Sequence, residues 1–287
     1  MKFGFLTRQG GGWMRRYLRV RKDILLAQWT TPDRYPCAPI SLFDFSNHDD
    51  YLDAIKVHEK DQDGWRISDD RVIGGFSEAS AFMVRTNNDL ATIASGETPN
   101  PVLDAQQFYD EQDVNKNEST SKNKKPLTSF LRWQGTIDTE IGLQSDAQRS
   151  GFAALRSPEF FYGGANLCGL YSALELLCRT DGRSYTINLK VASSIPDDIY
   201  QGTVEIPASS DTFSSIVLPF SEFGLTARGR DREIHRELDD DVSLESIGVA
   251  LMDGRNGDFR FDLAKIRAVN IVDGTPHHKI VSDRDTN

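Results

Sequence analysis

Apolar and polar residues alternate with a period of two along much of this chain, the spacing a half-buried β-strand requires. Tyr185, Ile187, Leu189 and Val191 alternate with Thr186, Asn188 and Lys190. Phe259, Phe261 and Leu263 alternate with Arg260 and Asp262; Ile247, Val249 and Leu251 form a third set, and Ile216, Leu218 and Phe220 a fourth. Leu174, Leu176 and Cys178 lie opposite Glu175 and Arg179. Asp181-Gly182 separates the runs 172–179 and 183–191, and an Asp-Gly pair between two alternating runs predicts a tight β-hairpin. Many short strands joined by Gly- and Pro-containing turns predict an all-β sandwich or barrel. Helical periodicity is confined to the N-terminal arm and to residues 50–60.

The sandwich is expected over residues 40–272 as one domain. No apolar stretch approaches the roughly 20 residues of a membrane-spanning helix. Between residues 87 and 129 the alternation lapses. The run Asn115-Lys116-Asn117-Glu118-Ser119-Thr120-Ser121-Lys122-Asn123-Lys124-Lys125 has no apolar residue to offset its ordering entropy. This stretch is read as a disordered insertion between two strands, and residues 273–287 as a loose polar tail.

Charge is unevenly spread. The net charge is −10, yet Lys2, Arg8, Arg15, Arg16, Arg19, Arg21 and Lys22 precede the first acid. The acidic remainder argues against a nucleic-acid backbone as partner. Residues 1–39 form a basic segment in which Met14, Tyr17, Leu18 and Leu25 fall at helical spacing among the cations. It is read as an organelle-targeting segment; the alternative is a basic arm on a cytosolic protein. The three cysteines, Cys37, Cys168 and Cys178, match no zinc spacing and fit a reducing compartment, with Cys178 packed as a small hydrophobe.

Three segments could carry chemistry. In the segment from Trp65 to Glu78, Gly74-Gly75 could cradle a phosphate, but a dinucleotide fingerprint needs three spaced glycines before a helix, and a strand follows here. The pair is read as a tight turn anchored by Trp65. In the segment Arg149-Ser150-Gly151-Phe152-Ala153, Arg149 is expected to pair structurally with a carboxylate of the first segment. In Pro219-Phe220-Ser221-Glu222-Phe223 the aromatics are either core or an exposed edge. Gly229-Arg230-Asp231-Arg232 is either a basic contact loop or a solvated one. His48, His58, His235, His277 and His278 show no ligand spacing, no G-x-S-x-G elbow occurs, and Asp239-Asp240-Asp241 lacks the glycine and alternating ligands of a calcium loop. No catalytic residue, cofactor or metal is assigned.

Taken in order, these segments resemble the family of complex I intermediate-associated protein 30. The residues that carry the resemblance are Trp65, Ser68, Asp69, Gly74, Gly75 and Ser77; Arg149, Ser150, Gly151 and Ala153; Asp181, Gly182 and Arg183 with Tyr185 and Asn188; Pro219, Phe220, Ser221 and Phe223; Gly229 and Arg230; and Gly257 with Phe259. The chain departs from the pattern in its long insertion, in Phe213 where a Trp is usual, and in Thr180 where a Gly precedes the Asp-Gly pair. The resemblance implies a galactose-binding-like jelly roll. It also implies a non-catalytic assembly factor, or chaperone, for the membrane arm of mitochondrial respiratory complex I, the NADH:ubiquinone oxidoreductase. Its partners would be complex I subunits, assembly intermediates and other assembly factors. Its place would be the mitochondrial matrix, peripheral to the inner membrane, with the basic start as targeting segment. The alternatives are a carbohydrate-binding module, which would show exposed Trp or Tyr platforms, and a factor for another organellar complex. Trp65 and Trp133 are expected to be buried, while Trp13 and Trp29 lie outside the domain.

Overall fold

The computed structural model describes residues 18–26, 37–46, 64–85, 95, 129–142, 150–160, 164–193, 198–209, 212–227, 230–231, 237–238 and 242–276. Two antiparallel sheets are built from them. One contains β1 (Ile40–Asp44), β3 (Glu78–Val84), β4 (Phe130–Ile137), β6 (Ala173–Thr180), β9 (Ser214–Pro219) and β13 (Gly257–Val269). The other contains β2 (Arg66–Asp69), β5 (Ala153–Arg156), β7 (Ser184–Val191), β8 (Asp198–Glu205), β10 (Gly224–Ala227), β11 (Arg230–Asp231) and β12 (Leu244–Leu251). A short ribbon of β14 (Ile271–Val272) and β15 (Thr275–Pro276) follows. The protein is an all-β, jelly-roll-type sandwich, one of the two architectures the alternation predicts and the one the resemblance implies.

In the first sheet the order is β3-β4-β13-β6-β9, and β1 pairs with β13 as well. The long β13 serves both β4, through Gly257 to Leu263, and β1, through Lys265 to Ala268. In the second sheet the order is β11-β10-β8-β7-β12-β5-β2. The inward sets of both sheets form one core in which rings meet edge to face: Trp65 with Phe43 at 5.1 Å, Trp133 with Phe259 at 4.8 Å, Tyr185 with Phe261 at 4.9 Å. Cys178 lies in this core, and burial pushes its thiol up to about 12. Both described tryptophans, Trp65 and Trp133, are buried as expected.

One expectation is corrected. The Asp181-Gly182 turn does not close a β-hairpin. β6 pairs with β13 and β9, whereas β7 pairs with β12 and β8 in the other sheet. The turn therefore carries the chain from one layer to the next. Both strands present an apolar face to the same core, so the alternation is that of a hairpin while the partners are not. Residues 18–26 are helical; Val20 and Ile24, one turn apart, join the core, while Leu18 and Leu25 are exposed. Cys37 joins the same cluster.

The expected helix at residues 50–60, the run 115–125, all five histidines, Trp13 and Trp29 lie outside the described residues, as do most of the insertion and the residues beyond 276.

Candidate functional site

The motif segments converge on the carboxylate of Asp70. This residue opens a short 3-10 turn, Asp70–Ile73, at the end of β2, and its side chain is fully buried. Oδ1 accepts the Ser77 amide at 2.8 Å. Oδ2 accepts the hydroxyls of Ser77 and Ser150, each at 2.8 Å, and the amides of Gly151 at 2.6 Å and Phe152 at 3.3 Å. Its main chain is tied in as well: the Asp70 amide donates to the Phe152 carbonyl, and its carbonyl accepts the Gly75 amide. Burial alone would push the Asp70 carboxyl up. The bonds from Gly151, Ser150 and Ser77 outweigh it and hold the group below the ordinary carboxylate range.

Two glycines of the motif are fixed by this arrangement. A Cβ on Gly75 would stand 2.3 Å from Asp70 Cγ and 2.6 Å from Ser150 Oγ. Gly151 has φ +84, and a Cβ there would meet Thr139 Cγ2 at 2.7 Å. Gly74-Gly75 is thus a close-packed turn, as read from the sequence. The neighbouring Asp69 caps the same turn, accepting the Arg71 amide and holding the Arg71 guanidinium at 2.7 and 3.0 Å. Ser68 is exposed on β2, and Trp65 anchors the approach in the core. Arg149, expected to pair with a carboxylate here, lies outside the described residues, as does Gly229. Arg230 begins the edge strand β11.

The Asp181-Gly182-Arg183 turn is a second tie, between the sheets. Asp181 accepts the Arg260 amide at 2.8 Å and the Arg183 amide at 3.0 Å, and the Tyr185 hydroxyl lies 3.0 Å from it. Arg183 reaches across to the β12–β13 turn. It pairs with Asp253 at 2.5 Å and donates to the carbonyls of Arg255, Gly257 and Asp258. Thr180, where a glycine is usual, accepts the Gly182 amide at 3.1 Å and donates to the Ile206 carbonyl. In the third segment Pro219 ends β9, while Phe220 and Phe223 turn inward to the core; Ser221 stays exposed. The aromatics are therefore core and not an exposed edge.

Sequence reasoning placed the motif carboxylate at Asp69 and missed Asp70. The signal was the Ser-Asp-Asp run, in which a second carboxylate precedes a glycine turn and a serine. Around the knot stand exposed apolar side chains: Val72 at 76% and Phe76 at 54% exposure, with Ile73 and Ile141 beside them in the fold. Ile141 bridges Gly75, and the Gly142 amide donates to the Gly74 carbonyl, so residues 141–142 are bonded to the glycine turn of the knot. No group of three or more His, Cys, Asp or Glu suited to a metal occurs among the described residues.

Fold and site together define a jelly-roll domain whose shared motif holds its own scaffold. The family model described as Complex I intermediate-associated protein 30 (CIA30) matches residues 109–263, and the chain belongs to that family. That match takes in the Asp181-Gly182-Arg183 turn and the Pro219–Phe223 segment, while Trp65 to Ser77 precede it. The chain is 23% identical over 217 residues to complex I intermediate-associated protein 30, mitochondrial, of Neurospora crassa, covering 72% of this chain and 69% of that one. It is 30% identical over 151 residues to the probable protein of the same name in Caenorhabditis elegans, covering 48% of this chain and 42% of that one. Among solved structures, the family 11 carbohydrate-binding module of a Clostridium thermocellum cellulosomal cellulase overlaps 78% of this chain and 95% of its own, with TM-score 0.41 and 14% identity.

Proposed function

We propose that the protein is a non-catalytic assembly factor for mitochondrial respiratory complex I. It acts in the matrix, peripheral to the inner membrane, by binding assembly intermediates of the membrane arm and other assembly factors. Family membership is the observation that carries this reading. The geometry supports it in two ways. The motif carboxylates of Asp70, fully buried, and Asp181, half-buried, are engaged in bonds that hold the fold. The knot also presents Val72, Ile73, Phe76 and Ile141 outward, and clustered exposed apolar side chains suit a protein contact.

The test is a tagged chain expressed in its source organism, followed by native electrophoresis with proteomic profiling of each slice. The tagged chain is expected to migrate with partly built complex I, and its deletion to leave such intermediates accumulated. Migration only as a free protein, with complex I built normally in the deletion, would overturn the proposal. A Val72→Ser/Phe76→Ser double variant is expected to fold normally and to leave the intermediates.

A further inference from the structure

The outer face of the second sheet holds a groove that the motif does not use. Its cavity has a volume of about 330 Å³ and lies across β2, β5, β12, β7 and β8. The cross-strand register explains its lining. Arg66 stands opposite Arg156, Arg156 opposite Gly248, Gly248 opposite Asn188, and Asn188 opposite Gln201. In the neighbouring row Ser246 stands opposite Lys190, and Lys190 opposite Ile199. Gly248 has no side chain, so a gap opens between Arg156 and Asn188 in the middle of the row.

Two observations point to an occupant. First, Arg156 stands opposite Arg66 on this face, so positive charge is concentrated at one end of the groove. The Arg156 side chain makes no hydrogen bond or ion pair among the described residues, and the residue is only partly exposed. Lys190 is shared with Glu245 at 2.9 Å, which leaves Arg156 as the principal cation. Second, the Ser246 hydroxyl is buried and has no hydrogen-bond partner, yet it lies in the lining of the cavity. A buried hydroxyl without a partner is costly and rare. Asn188, which lines the groove, accepts the Gln201 amide at 2.8 Å through its oxygen, and its own amide is a further donor.

We infer that this groove is a carboxylate-binding site. A guanidinium presents two parallel donors that match the two oxygens of a carboxylate, and the Asn188 amide and the Ser246 hydroxyl supply further donors. The floor is small and apolar, formed at Ala154 and Gly248, with Ile199 at one end. It admits the short aliphatic stem that carries a carboxylate, either in a small organic acid or in an acidic side chain of a polypeptide. Its lining contains no aromatic ring, so the stacking by which neutral sugars are held is not available here.

The site is tested by calorimetric titration of the full chain at fixed ionic strength. Four probes are compared: succinate, a blocked tetraglutamate peptide, inorganic phosphate and cellotetraose. One of the two carboxylate probes is expected to bind, and which one does identifies the source. Arg156→Gln is expected to weaken that binding at least about 10-fold, the loss typical of a charge-assisted hydrogen bond. Ser246→Ala is expected to weaken it several-fold while leaving the unliganded melting temperature unchanged or raised, because it removes an unpartnered hydroxyl. Failure of both carboxylate probes would overturn the inference, as would unaltered binding by Arg156→Gln. Phosphate or cellotetraose binding as tightly as the better carboxylate would also overturn it. None of these outcomes depends on the assembly-factor reading.

Discussion

The Asp70 carboxylate accepts the Gly151 amide at 2.6 Å across 81 residues of sequence. This single bond ties the end of β2 to the entry of β5, and four further donors share the same carboxylate. Asp70→Asn replaces one acceptor oxygen with an amide and sets it against donors that are already in place. Unfolding by urea, followed by fluorescence, is expected to show a loss of about 2–4 kcal/mol, the cost of buried donors deprived of their charged acceptor. A variant within about 0.5 kcal/mol of the parent would show that the knot does not hold the fold.

The acid limb of stability should carry the same signature. Burial acts to raise the carboxyls of Asp44, Asp70 and Asp253, but the hydrogen bonds and cations around them prevail and hold all three below the ordinary range. The unfolded chain, with these groups at about 3.9, therefore binds more protons than the folded one as pH falls. Their contribution is complete above the unfolded value and is lost as pH drops through the folded values. Thermal melts are expected to hold steady from pH 7 to about 5 and to fall steeply below about 4. In Asp70→Asn that fall should be shallower.

Arg183 clamps the β12–β13 turn through Asp253 and three carbonyl oxygens. Arg183→Leu leaves the Asp253 carboxylate without its cation and frees those carbonyls. The expected loss is about 3 kcal/mol, as for other broken buried pairs. Hydrogen exchange should show it as faster exchange at residues 253–258. Uniform exchange across the chain would argue that the clamp does not act locally.

Val20 is 1% exposed and packs in the core, whereas Leu18 on the same helix is 57% exposed. Val20→Ala is expected to lower stability by about 1–3 kcal/mol through lost packing, and Leu18→Ala to change it by less than about 0.5 kcal/mol. Equal effects of the two would mean that the helix is not part of the folded unit.

The class of the fold is legible because alternation is a local property: Tyr185 to Val191 and Phe259 to Leu263 declare their inner faces without reference to a partner. Partner choice is not local. Nothing in Thr180-Asp181-Gly182-Arg183 says that β6 and β7 belong to different sheets, since both need the same inward face. The motif residues are legible as a turn and anchors, but the importance of Asp70 is not, because its donors Ser150 and Gly151 come from far along the chain. The groove is hidden for the same reason. Residues 66, 156, 188, 246 and 248 become neighbours only through register.

The position of β13 also constrains how the chain can acquire its structure. This strand lies between β6 on one side and β4 with β1 on the other. The first sheet therefore cannot close until residues 257–269 have been delivered. During synthesis, or passage through a translocation channel, β1, β3 and β4 would wait with unpaired edges while more than a hundred residues follow β4. Pairing over such separations is slow. The waiting strands are exposed to aggregation for that interval, and maturation of this sandwich is set by the arrival of its last strand, not by its first.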